Sequence, residues 1–228
     1  MAANRIMQEF GSFTKFLHSG FKYNLQVFPD TLTASAMLFA LLFQSPPFAA
    51  MSGSIILLNI IHPLIARFFS TFVGKAISRN DSCTGHFPGV SFTRMIQLSS
   101  DKKFGDLDNA GWPSYYPVFL GFLTAYASVM PLLYSKELSA SPKRNNATII
   151  GLVVLSLVVV TCLVYRIFSG CDSVLSSLVG VLIGGLIGLL IVVFLAWITD
   201  RRLTNILALP LIRDKAADGK PIYVCERT

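Results

Sequence analysis

Between Val174 and Thr199 the chain carries no charged residue, and Asp200, Arg201 and Arg202 follow at once. About 20 apolar residues suffice to cross roughly 30 Å of hydrocarbon as an α-helix, so this run predicts a membrane span with a charged stop. Four further stretches come close to that length: Thr31 to about Met51, Ser54 to about Ile77, Pro117 to Tyr134, and Thr148 to Tyr165. Lipid offers the backbone no hydrogen-bond partner, so runs of this kind must close their bonds internally as helices. The expected fold is all-α: an integral membrane helical bundle of about five transmembrane helices over residues 26–200. Its spans lie near 31–51, 54–77, 117–134, 148–165 and 174–199, with a polar C-terminal tail at 201–228. Pro46 and Pro47 should kink the first span or end it early, and Ser52-Gly53-Ser54 should be the tight connection to the second.

Composition agrees with this reading. Only 14% of residues are charged and 53% are hydrophobic, against roughly 25% charged in a soluble domain. A net charge of +7 raises the question of nucleic acid. The basic residues fall between the apolar runs, where membrane proteins keep them, so membrane lipids are the expected partners and nucleic acid is not. Cys83, Cys162, Cys171 and Cys225 show no Cys-x-x-Cys spacing and the chain has three histidines; neither a metal site nor a cofactor is expected.

No cleavable signal peptide is expected, because residues 1–25 lack an unbroken apolar core. Ile6, Phe10, Phe13 and Leu17 recur at helical spacing opposite Arg5, Glu9 and Lys15. That pattern suits an interfacial amphipathic helix at 1–25, or equally a helix packed on the bundle end. Lys and Arg divide evenly between the two sides, so the positive-inside rule assigns no orientation. The triplets Asn80-Asp81-Ser82 and Asn146-Ala147-Thr148 fall on opposite sides, and at most one can be glycosylated.

Polar residues that could carry chemistry gather at two places on one side. These are Gly111-Trp112-Pro113-Ser114-Tyr115-Tyr116 before the third span and Arg166 to Ser176 before the fifth. Gly180, Gly184 and Gly188 fall four apart, a spacing that lets helices approach closely in lipid, within the bundle or between copies in a homo-oligomer or other membrane assembly. His62 and Arg67 are ionisable groups in or near the second span and are candidates for a relay or ligand role. For His62, a bond to a carbonyl freed by Pro63 is the plainer expectation. His86 lies in the polar loop 78–112, and Cys83 and Cys171 share its side, as free thiols or as a disulfide if that side is oxidising.

On these residues the sequence resembles the type 2 phosphatidic acid phosphatase family, over roughly residues 54–190. One family motif reads Pro-Ser-Gly-His at the start of a membrane helix. Here Pro113 and Ser114 match, while Tyr115 and Tyr116 take the Gly and His positions. A later motif reads Ser-Arg-x5-His-x3-Asp; Arg166 matches its Arg, whereas Asp172 and Ser176 take the His and Asp positions. The earliest motif, Lys-x6-Arg-Pro, is unrecognisable: Arg79 in the Arg position leaves Phe72 and Asn80 beside it, and a register on Asn59 and His62 does no better. The resemblance implies that spans two to five pack around the polar ends of spans three and five. It also implies that the family's first helix is missing or replaced by the N-terminal amphipathic one.

In the family the later His attacks phosphorus, its Asp orients it, and the earlier His protonates the leaving group. All three groups are replaced here, so the resemblance implies a pseudoenzyme with no catalytic residues. A tyrosine in the glycine position should fill the phosphate pocket. Arg166 and Ser114 are the candidates for holding an anion or lipid headgroup, since arginine offers a donor fork suited to phosphate; the alternative for Arg166 is an interfacial anchor. The functional expectation is a non-catalytic multipass protein with a structural, assembly or lipid-contact role in a cellular or viral membrane. The alternatives are an active lipid phosphatase or phosphotransferase using Asp172, His86 and Arg166, and a channel or transporter.

Overall fold

The computed structural model describes residues 20, 27–73, 83, 112–140, 142–199, 201–206, 212–215 and 221–223. The N-terminal amphipathic helix expected at 1–25, apart from residue 20, together with His86, the Asn80 triplet and nearly all of the loop 78–112, lies outside these residues. Among them are helices α1 (Phe28–Leu42), α2 (Pro46–Val73), α3 (Tyr115–Leu133), the short α4 (Ser135–Ser139), α5 (Pro142–Phe168) and α6 (Val174–Ile198). A 3₁₀ turn (Arg202–Thr204) and a small antiparallel ribbon of β1 (Ile212–Lys215) and β2 (Pro221–Tyr223) follow. The protein is an all-α integral membrane bundle: α2, α3, α5 and α6 are long and apolar enough to cross a membrane, and α1 is a shorter apolar helix. At 15 residues, α1 extends only about 22 Å.

The hairpin between the first two helices is displaced from its expected place. Gln44 adopts φ 46°, and α2 opens directly on Pro46. A proline in the first helical turn gives up an amide hydrogen that would have no partner there, so Pro46 and Pro47 begin the second helix. Of the two expectations for the first helix it is the early end, at Leu42, that occurs rather than a kink. Ser52-Gly53-Ser54 is helical interior, not a turn. Its hydroxyls are satisfied within the helix, Ser52 donating to the Phe48 carbonyl at 2.8 Å and Ser54 to that of Ala50 at 2.7 Å. This back-bonding lets serine sit in an apolar helix without an unpaired polar group.

The centre of the bundle is α3, which packs most extensively against α6. Val118, Phe119, Leu120, Phe122 and Tyr126 are fully enclosed, together with Ile55 and Leu58 of α2. By contrast, 61% of the apolar window of α3 is buried but only 11% of that of α5, whose Val153, Leu157 and Val160 are exposed. In a membrane those side chains meet acyl chains and cost nothing to leave outside.

Glycines set the spacing between α3 and α6. A Cβ on Gly184 would collide with the Val118 carbonyl, and one on Gly121 with that of Val181. At Gly180 it would lie 2.8 Å from Pro117 Cβ, and at Gly188 2.6 Å from the Phe122 oxygen. The Gly180, Gly184 and Gly188 stripe therefore faces inward on α3, with Gly121 as its counterpart on the other helix. Close backbone approach of this kind is how lipid-embedded helices gain dispersion contact without a hydrophobic drive.

Candidate functional site

The two polar stretches meet at one end of the bundle. The last turn of α5 presents Arg166, and the chain then reverses at Gly170, whose φ of 70° is open to glycine at little cost. The amide of Cys171 donates to the Arg166 carbonyl and that of Gly170 to the Ile167 carbonyl, both at 3.0 Å, closing the helix end as a Schellman motif. Helix α6 restarts at Ser173, whose hydroxyl accepts from the Ser176 amide at 3.1 Å. This tight reversal sets Asp172 beside Arg166.

Arg166 Nε donates to Asp172 Oδ2 at 2.5 Å, and the residues are 5% and 6% exposed. Arg166 Nη1 donates to the Cys83 carbonyl at 3.2 Å. The flat face of the guanidinium stacks on Tyr116, 4.4 Å from its ring centroid, a cation–π contact strengthened by exclusion of water. The Tyr116 hydroxyl in turn shares a hydrogen bond with the buried Cys162 thiol. Cys83 and Cys171 are disulfide-bonded, with Cα atoms 5.3 Å apart, so the Cys83 carbonyl is held over the pair by a covalent tie. Of the two alternatives left open for these cysteines, the structure shows the disulfide.

The α3 side completes the cluster. The Ser114 amide donates to Ser176 Oγ at 3.4 Å. His62 of α2 donates from Nε2 to the Pro113 carbonyl at 3.1 Å and meets the Tyr115 ring edge-on at 5.2 Å. His62 thus serves a carbonyl on a different helix rather than one freed by Pro63. The two tyrosines diverge, Tyr115 toward His62 and Phe119, Tyr116 toward Arg166. Pro113, Ser114, Tyr115, Tyr116, Arg166, Asp172 and Ser176 are therefore brought together, and all seven are buried. Ser114 Oγ, Ser177 Oγ and Asn59 Oδ1 are also buried and accept or donate no hydrogen bond among the described residues.

Chemically, the junction couples one cation to one carboxylate, with Tyr116 and Asp172 packed directly against the Arg166 guanidinium. No group of three or more His, Cys, Asp or Glu side chains able to hold a metal occurs among the described residues. Sequence reasoning missed Cys162 as the partner of Tyr116, and it missed a second polar clamp at the opposite end. There the Tyr134 hydroxyl donates to the Arg201 carbonyl and lies 2.8 Å from Thr204 Oγ1. Arg201 Nη1 reaches back to the Leu133 carbonyl at 3.0 Å. Only long-range pairing reveals these, since nothing local to Cys162 or Tyr134 marks them. No family model, curated protein or solved structure matches the chain.

Proposed function

We propose that the protein is a non-catalytic multipass membrane protein in which a polar junction, similar in its residues to an eroded lipid-phosphatase centre, has become a structural lock. The observation that carries this reading is the commitment of Arg166. Its Nε is paired with Asp172, its Nη1 with the Cys83 carbonyl, and its face with Tyr116. An arginine meant to receive phosphate would keep its fork open; a neighbouring carboxylate opposes an incoming anion. Asp172 as a nucleophile would lose its ion pair on phosphorylation, and Ser176 is no substitute for an orienting carboxylate.

On this reading the protein's role is architectural: an apolar bundle with lipid-facing α5 and α6, held at one end by a disulfide and a buried ion pair. The Cys83–Cys171 bond supports placing that end toward an oxidising compartment, where such bonds persist. The test is phosphate release by the full-length protein reconstituted in liposomes containing phosphatidic acid. The expected result is no release above empty liposomes, with the wild type and Asp172→Asn indistinguishable. Turnover in the wild type that disappears in Asp172→Asn would overturn the proposal in favour of a rearranged phosphatase.

A further inference from the structure

The half of the bundle away from Arg166 holds a groove of about 600 Å³ between α2, α3 and α5, within the ~300–1,000 Å³ range of small-molecule sites. Phe48 and Met51 of α2, Leu123 and Tyr126 of α3, and Leu152 and Leu155 of α5 form its walls. It exists because α5 packs far less extensively on α3 than α6 does. Its rim is exposed at Ala147 and Gly151 on the lipid-facing side of α5. The groove is thus open to the bilayer rather than sealed.

Three polar side chains interrupt this apolar lining. Arg144, in the first turn of α5, is the only charged side chain among the described lining residues and is exposed. Lys143 precedes it, and the helix end there is the positive pole of the α5 dipole. The second group is Tyr126, a wall residue 1% exposed, whose hydroxyl has no hydrogen-bond partner among the described residues. A buried hydroxyl left unpaired costs about 1–3 kcal/mol. Thr148, the remaining polar wall residue, is already satisfied by the Arg144 carbonyl at 2.9 Å.

These groups follow the order of an amphiphile, a charge at the margin and a hydroxyl deeper among apolar walls. Tyr126 lies about two helical turns, ~10 Å, inside the end of α3 at Leu133, while Arg144 stands at the polar margin. We propose that the groove binds one anionic glycerophospholipid, with an acyl chain along the apolar walls and its phosphate at Arg144. The Tyr126 hydroxyl then gains an acceptor from the glycerol esters, which lie between chain and phosphate. A zwitterionic lipid would place its own cation near Arg144 and Lys143, so charge complementarity selects the anionic class. The inference goes beyond the architectural role and uses none of the residues around Arg166, so its failure leaves that reading intact.

The test uses the full-length disulfide-bonded protein in mild detergent, titrated with phosphatidylglycerol or with phosphatidylcholine of the same chains. Lipid retention is read by native mass spectrometry and stability by thermal unfolding. One phosphatidylglycerol per chain should be retained in preference to phosphatidylcholine and should raise the Tm. Arg144→Gln should weaken phosphatidylglycerol retention about fivefold, the effect of removing one basic residue near an anionic headgroup, and leave phosphatidylcholine unchanged. A Cβ at Gly151 meets nothing within 4 Å, so Gly151→Leu should fill the groove and block retention without lowering the lipid-free Tm. Tyr126→Phe should leave the lipid-free Tm equal or higher while shrinking the rise given by phosphatidylglycerol. Equal retention of both lipids, or retention insensitive to both Arg144→Gln and Gly151→Leu, would overturn the proposal. So would cross-linking of Ala147→Cys between two copies in place of lipid, which would assign the groove to a second chain.

Discussion

Arg166 and Asp172 form an ion pair across the reversal between α5 and α6, with both side chains almost wholly withdrawn from the surface. Withdrawing two charges costs several kcal/mol each, which their attraction repays only when the remaining donors and lone pairs are also served. Here the Cys83 carbonyl and the Tyr116 ring serve the remaining faces of the guanidinium. The pair ties together the ends of two membrane helices, α5 and α6, and through Tyr116 a third, α3. It is a junction between helices, built from side chains withdrawn from the surface.

The closeness of α3 and α6 depends on backbone meeting backbone. Gly184→Ala would drive a methyl into the Val118 carbonyl, and with backbone on the other side neither helix can yield locally. A loss of at least the ~1–3 kcal/mol typical of overpacking is expected, read as a fall in the Tm of the detergent-solubilised protein. Gly185→Ala is the control. Its nearest neighbour would be the Gly121 oxygen at 3.8 Å, an ordinary contact, and its Tm should hold or rise slightly from improved helix propensity.

The disulfide closes a loop with a sequence separation of 88 and fixes the carbonyl that Arg166 uses. Cys83→Ser should therefore cost about 2–4 kcal/mol, and the wild type treated with reductant should unfold at the same lower temperature as Cys171→Ser. Thiol labelling after denaturation, without reductant, should find Cys83 and Cys171 unreactive and Cys162 reactive.

At the opposite end, burial raises the Tyr134 phenol above its ordinary value. A group whose folded pKa is raised stabilises in full below its unfolded pKa, about 10 for tyrosine, and that contribution is lost as pH rises through the higher folded value. Stability should thus fall above pH ~10, and Tyr134→Phe should remove part of that fall. At neutral pH the same variant should cost about 0.5–1.5 kcal/mol, the net worth of a hydrogen bond, because the buried Thr204 hydroxyl loses Tyr134 but keeps its bond to the Arg201 carbonyl at 3.0 Å. It should also loosen the segment after α6, seen as faster proteolysis near Arg202.

The membrane bundle was legible because lipid makes its demand locally. Runs such as Val174–Thr199 must be helical wherever they pack, and α6 spans Val174–Ile198. The first hairpin was misread because Gly53 between two serines has the composition of a turn. In lipid, serines can satisfy their hydroxyls on their own helix, and Pro46 is a better helix opener than Gly53 is a breaker. For the site, the two polar stretches around Ser114 and Arg166 were recognisable as neighbours because both end on one side of the bundle. The tyrosine expected beside the cation was Tyr115, whereas Tyr116 lies over Arg166 and Tyr115 turns to His62 and Phe119. What motif spacing does not encode is which side chain meets which. The Arg166–Asp172 pairing, the His62 bond to Pro113 and the Tyr116 contact with Cys162 depend on how helices rotate against one another, and Gly121 gave no periodic signal of its own.

A double-mutant cycle on Arg166 and Asp172 bears most directly on the structural lock, with thermal or denaturant unfolding and phosphate release measured on the same four proteins. Asp172→Leu alone strands a buried guanidinium and should cost about 3–5 kcal/mol, whereas Arg166→Met with Asp172→Leu should restore most of that loss, with no release of phosphate from any of the four. Single substitutions that leave stability untouched while abolishing a wild-type turnover would contradict it.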